Sequence, residues 1–130
     1  MKRLEYSQFM DMCKVCDIQP HYLFACLRKS LGISQAKLAY RMDKEGINQN
    51  AISKYEHKNN ITAEHEYQLW SYILYYMKHE FHLRRKADNI RYAALILTAF
   101  NLYILRYADA KQAETIAGFL TEGFRLSFAQ

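Results

Sequence analysis

Proline occurs once and glycine four times among the 130 residues of this chain, too little punctuation for the many tight turns of a sheet protein. No alternating apolar and polar run competes with a helical reading. Leu, Ala, Tyr, Lys and Arg are plentiful, so an all-α fold is expected. Long hydrophobic runs are missing as well. The longest suspect stretch, Tyr92 to Leu105, is fourteen residues bounded by Arg91 and Arg106. That is short of the about 20 residues needed to cross a bilayer, and it reads as a buried helix rather than a membrane anchor. The opening MKRLEYSQFMDMCK meets Glu5 and Asp11 before any apolar run develops, so no secretory signal is expected and the location implied is cytoplasmic. There is no G-x-S-x-G elbow, no phosphate-binding glycine loop and no dinucleotide fingerprint, which argues against an enzyme and against a cofactor. His79-Glu80-Phe81-His82 falls one residue short of the metalloprotease spacing H-E-x-x-H and reads as solvated or packed side chains.

Hydrophobic residues make up 51% of the chain, ample for a core. The net charge of +5 is unevenly placed. Residues 1–20 carry three basic and three acidic side chains, residues 21–61 seven and three, and residues 62–130 eight and seven. Almost the whole excess therefore lies in the middle segment, where it would attract a polyanion.

That basic segment contains SQAKLAYRM, DKE and GINQNAISKYE in succession, from Ser34 to Glu56. Leu38, Ala39 and Met42 recur at helical spacing, as do Ala51, Ile52 and Tyr55, so two short helices each turn one apolar stripe to a shared core. Small Ala39 permits close approach of the pair, and Gly46 can take the positive φ that leaving a helix requires. The outer positions of the second helix are then Asn48, Gln49, Asn50, Ser53 and Lys54, donors and acceptors without a carboxylate. Asn or Gln can bond bidentately to adenine in the major groove, each good pair giving about 1–3 kcal/mol of discrimination. Lys54 would add attraction for phosphate.

With LRKSLGIS upstream, from Leu27 to Ser34, and ISKYE downstream, from Ile52 to Glu56, the segment resembles the lambda-repressor-like, Cro-type family of helix-turn-helix regulators, also called the xenobiotic-response-element family. The resemblance covers about residues 20 to 78. It implies a lambda-repressor-like helical bundle that binds double-stranded DNA. Phosphate contact would come from Gln35 at a helix N-terminus, base contact from Gln49, Asn50 and Ser53, and backbone contact from Lys54. Two features depart from the pattern. Asp43, Lys44 and Glu45 are extra at the turn, so either the first helix runs on by nearly one turn or the connection bulges outward. The family's glycine after the recognition helix is also missing, and an Asn of His57-Lys58-Asn59-Asn60 in the left-handed conformation would substitute for it.

Cys13, Cys16, His21 and Cys26 have the spacing C-x2-C-x4-H-x4-C of a zinc knuckle, and four such ligands could close a tetrahedral site. The segment lacks the glycines that let so short a loop wrap a metal, and a straight helix from Pro20 carries His21 and Cys26 to different faces. The reading favoured is small buried thiols packing a leading helix with Phe9, Met12 and Val15, and no metal site.

Helical spacing and caps organise the rest. A leading helix is expected over about residues 4–17. A second should run from Pro20 to about Leu31, ended by Gly32, with Ser34 capping its successor. Thr62 caps a long helix with Tyr67, Trp70, Ile73, Met77 and Phe81 on one stripe, and Asp88 caps another whose face is Tyr92, Ile96, Ala99, Tyr103 and Tyr107. Leu95, Leu102 and Leu105 make that helix apolar nearly all round, so burial on several sides is expected. Asp109 caps the last, with Ile116, Phe119 and Leu120 as its apolar patch. The division expected is a leading helix over 1–19, a DNA-binding unit over 20–80 and a C-terminal helical oligomerisation region over 81–130. Thirteen aromatics fall in residues 62–130, a concentration that suits a homodimer surface because Tyr combines area with a polar tip. The function expected is a homodimeric transcriptional repressor on a palindromic operator, with no membrane association. The alternative is an antitoxin or phage-type adaptor that grips a protein partner through its aromatic C-terminal helices.

Overall fold

Three of the helix exits in the computed structural model share one device. Asp17, Gly32 and Gly46 stand at φ 53°, 73° and 73°, and each is followed by an isoleucine that is driven inward: Ile18, Ile33 and Ile47 are all buried. At the first exit Ile18 N–H reaches back to the Cys13 carbonyl at 2.8 Å, and at the second Ile33 N–H reaches Arg28 at 3.2 Å. These are Schellman closures, in which a left-handed residue satisfies the last carbonyls and an apolar residue seals the end. Asp17 occupies a position that glycine would take without steric cost.

The structure describes residues 6–58, 60–80 and 86–121, with the side chains of 78–80 and 86–92 outside that description. Among the described residues it is all-helical: α1 (Tyr6–Cys16), α2 (Pro20–Ser30), α3 (Gln35–Arg41), a 3-10 turn (Asp43–Glu45), α4 (Gln49–Lys58), α5 (Ala63–Glu80), α6 (Lys86–Tyr107) and α7 (Ala110–Phe119). No strand is present among these residues, as the composition leads one to expect. No helix of the described residues is long and apolar enough to cross a membrane.

The starts have local causes. Pro20 stands in the first turn of α2, where its missing N–H costs nothing. Ser34, Thr62 and Asp109 accept from the backbone N–H of Lys37, His65 and Gln112, at 3.0, 3.2 and 2.7 Å, each satisfying one orphan donor. Asp88 does not cap α6: the helix is already formed at Lys86, so Asp88 lies inside it. The Asp88 side chain itself lies outside the described residues.

α2 is the central rod. Its residues from Leu23 to Arg28 are buried without a break, so neighbours cover it on more than one side. α6 packs along one flank with Ile96, Ala99, Phe100 and Tyr103, all buried. Tyr103 reaches over to accept a hydrogen bond from Gln19 N–H at 2.9 Å, and Tyr107 stacks on Tyr22 at 4.1 Å with the rings 6° from parallel. On another side sits Trp70 of α5, which meets Phe9 of α1 at 5.3 Å and Phe24 of α2 at 5.5 Å between ring centroids. The Trp70 indole donates to the Tyr55 hydroxyl at 2.9 Å, and that hydroxyl donates to Glu66 at 2.7 Å, so α4 is tied to α5 at two points.

Not every apolar position reads correctly from spacing. Val15 is 69% exposed, although Phe9, Met12, Cys13 and Cys16 of the same helix are buried. The buried four recur at three and four residues and leave Val15 on the opposite side. Tyr67 is half in solvent because the buried stripe of α5 runs through Leu69, Trp70, Ile73, Leu74 and Met77, and its ring packs edge-on against Tyr6 at 5.0 Å. Phe81 and the side chain of Tyr92 lie outside the described residues. On α6, Leu97 and Tyr107 are partly exposed and Leu105 is 82% exposed, so this helix is not covered all round.

One ion pair is buried between α2 and α4. Arg28 Nε and Nη2 donate to the two Glu56 carboxylate oxygens at 2.6 and 2.8 Å, Nη1 donates to the Ile33 carbonyl at 2.8 Å, and Gln35 Nε2 gives Glu56 a third bond at 3.0 Å. A fork-to-fork pair of this kind is oriented as well as attractive. Removing one partner strands the other in the core, so Glu56→Leu should lose about 3–5 kcal/mol of stability in urea denaturation, and Arg28→Met combined with Glu56→Leu should regain most of it.

Candidate functional site

The site builds from the exit of α3. The three additional residues wind into a 3-10 turn directly on the end of that helix, with Glu45 N–H bonded to Met42 and Gly46 N–H to Asp43, both at 3.0 Å. Gly46 then turns the chain in the left-handed region. The insertion therefore extends the first helix by a tightened turn, and Gln68 Nε2 of α5 donates to Glu45 at 3.1 Å, clipping the turn down.

Asn48 starts α4. Its Oδ1 accepts from Ala51 N–H at 2.8 Å, so part of this side chain serves as a helix cap. Ile52 and Tyr55 hold the inner face, fully buried, and Glu56 is turned inward to Arg28. Outside, ahead of exposed His57 and Lys58 in the last turn, lie Asn48, Gln49, Asn50 and Lys54, all exposed, with Ser53 half-buried beside them and no carboxylate between them. The five residues proposed from spacing thus lie on one open face. His57 Nδ1 lies 2.8 Å from the Ser53 carbonyl one turn earlier. Gln35 is placed differently. Its amide nitrogen donates one bond to Glu56, so at the start of α3 it braces the Arg28–Glu56 pair, with its second amide hydrogen and its side-chain carbonyl left over.

Beside this face is a shallow cleft of about 400 Å³ lined by Asn48, Asn50, Ala51, Lys54, Asn60, Ile61, Thr62 and His65. Asn60, Thr62 and His65 were not part of the site read from the sequence. The signal for them was the Thr62 cap itself: an 18-residue helix starts there, and its first amides add positive potential next to Lys54. Glu64 in the same turn works against that potential. Asn59, the residue following α4, lies outside the described residues. The face can offer directional amide donors and acceptors with a cation at one edge; it holds no nucleophile paired with a base.

The thiols belong to the core. Cys13, Cys16 and Cys26 are free and buried, and among the described residues no group of three or more His, Cys, Asp and Glu side chains is placed to hold a metal ion. Burial pushes the Cys13 thiol up to about 12 and the Cys26 thiol to about 11, and it raises Cys16 as well. The side chains of His79, Glu80 and His82 are outside the described residues.

No family model matches this chain, and neither the curated proteins nor the solved structures provide a match.

The thiols generate a pH prediction with a definite sign. An unfolded chain releases these protons near 9, whereas the folded protein keeps the Cys13 proton to about 12. Stability should therefore be whole below 9 and fall progressively as the pH rises above it. At about pH 8 the native Cys13 thiolate fraction is about a thousandfold below that of a free thiol, so iodoacetamide should label the three cysteines promptly only in denaturant.

Proposed function

We propose that this chain is a sequence-specific DNA-binding transcriptional regulator of the helix-turn-helix type, in which α4 enters the major groove and the protein represses by occluding a promoter. The observation that carries the reading is the outer face of α4, where Asn48, Gln49, Asn50 and Lys54 are exposed together while the carboxylate of that helix is buried against Arg28. Packing and helix propensity require no such uncharged amide cluster, whereas base edges do. The +4 balance of residues 21–61 favours the same partner. Gln49, Asn50 and Ser53 read bases, Lys54 meets phosphate, and Gln35 acts chiefly by bracing Glu56.

A palindromic operator read by a homodimer completes the proposal. Exposed Leu105 and Leu97 on α6 support a second copy docking on the C-terminal helices. If so, sedimentation should report a dimer that Leu105→Glu shifts toward monomer.

Binding can be decided by gel shifts with duplexes selected from a random pool. Gln49→Ala and Asn50→Ala should each cost about 1–3 kcal/mol on the selected site and relax the sequence preference, while Lys54→Ala should weaken all duplexes alike and lower the salt slope by about 1. Failure of the pool to enrich any sequence, or unchanged preference after removing both amides, refutes the assignment.

A further inference from the structure

His21 is the one buried polar side chain among His21, Arg28 and Glu56 that has no role in the ion pair. It is only 6% exposed, and its Nδ1 is buried without a hydrogen-bond partner. It sits in the first turn of α2 just after Pro20, at a junction of four helices. Its ring lies 4.1 Å from that of Tyr22 on its own helix and 6.2 Å from that of Tyr55 on α4. Tyr107 of α6 stacks on the same Tyr22. From α5 the charged group acting on it is Glu66, whose carboxylate is already committed to the Tyr55 hydroxyl.

We infer that His21 is an acid-sensitive latch: proton uptake at this imidazole loosens the seat of α4 against α2 and α5. A neutral ring fits this site as an aromatic filler. An imidazolium does not, because it places a full charge in the core, leaves Nδ1–H without an acceptor, and stands at the positive end of the α2 dipole. Glu66 is the available counter-charge, and drawing it toward His21 competes with the bond that holds Tyr55, the buried anchor of α4. The latch is independent of what α4 binds.

Burial lowers the His21 pKa from the ordinary 6.5, with Glu66 pulling the other way. A lowered folded-state value means that the stability contribution is complete above 6.5 and drains away below it, because the unfolded chain takes up the proton first. The window lies within the range where histidine alone among unperturbed side chains changes charge.

Two measurements on the full chain test this. NMR titration of the histidine ring protons should place His21 below 6.5, and the indole N–H resonance of Trp70, the single tryptophan, should move with the same midpoint because it donates to Tyr55. In urea, the unfolding midpoint of the wild type should drop between about pH 7.5 and about pH 5.5, and His21→Gln should show a smaller drop. Titration of His21 at or above 6.5, a Trp70 resonance indifferent to its midpoint, or an equal acid loss in His21→Gln would each overturn the latch. The wild-type titration decides the matter even if the variant folds poorly.

Discussion

Arg28 and Glu56 form the joint on which the arrangement of the middle helices rests. Two parallel hydrogen bonds fix the guanidinium plane against the carboxylate, the Ile33 carbonyl takes a third donor, and Gln35 occupies the remaining side of Glu56. One cluster thereby sets the rotation of α4 about its own axis, the end of α2 and the start of α3. A greasy contact between α2 and α4 would tolerate sliding; a bidentate pair with each donor assigned does not. The rotation matters because it decides which side chains α4 turns outward.

A second tie works from the other side. Tyr55, next to Glu56, is bonded to both Trp70 and Glu66 of α5, and Phe24 of α2 meets both aromatic rings edge-on. Consecutive residues of α4 are therefore clamped to different neighbours. The polar face is left as the remainder: it is open because Ile52, Tyr55 and Glu56 have been taken inward. A rigid scaffold that turns Gln49 and Asn50 to the outside suits recognition, since little order has to be imposed on the rest of the helix when a partner arrives.

Much of this was legible in the chain because its causes are local. The caps at Ser34, Thr62 and Asp109, the break before Pro20 and the turns at Gly32 and Gly46 depend on residues within a few positions, and each stands where spacing puts it. The outward row on α4 was legible for the same reason: Ile52 and Tyr55 define the inner stripe, and the rest follows by period. What was not legible depends on distant partners. Nothing in the sequence pairs Arg28 with a carboxylate 28 residues later, and without that pair Gln35 looks free. Val15, Tyr67 and Leu105 look like core by type, yet their exposure depends on how much of each helix its neighbours cover. The extra Asp43-Lys44-Glu45 left two geometries open; the structure has the tightened turn, closed by local backbone bonds and met by Gln68 of α5.

The hydrogen bond from Gln19 to Tyr103 joins positions 84 residues apart, and the Tyr22–Tyr107 stack spans one residue more from the same corner. A nascent chain emerging from the ribosome would carry α2 with one flank bare until α6 has followed it out. Phe24, Leu27 and their neighbours would then depend on a late arrival for shelter, and contacts of such long separation close slowly. The rod at the centre is thus made well before the helix that completes its enclosure.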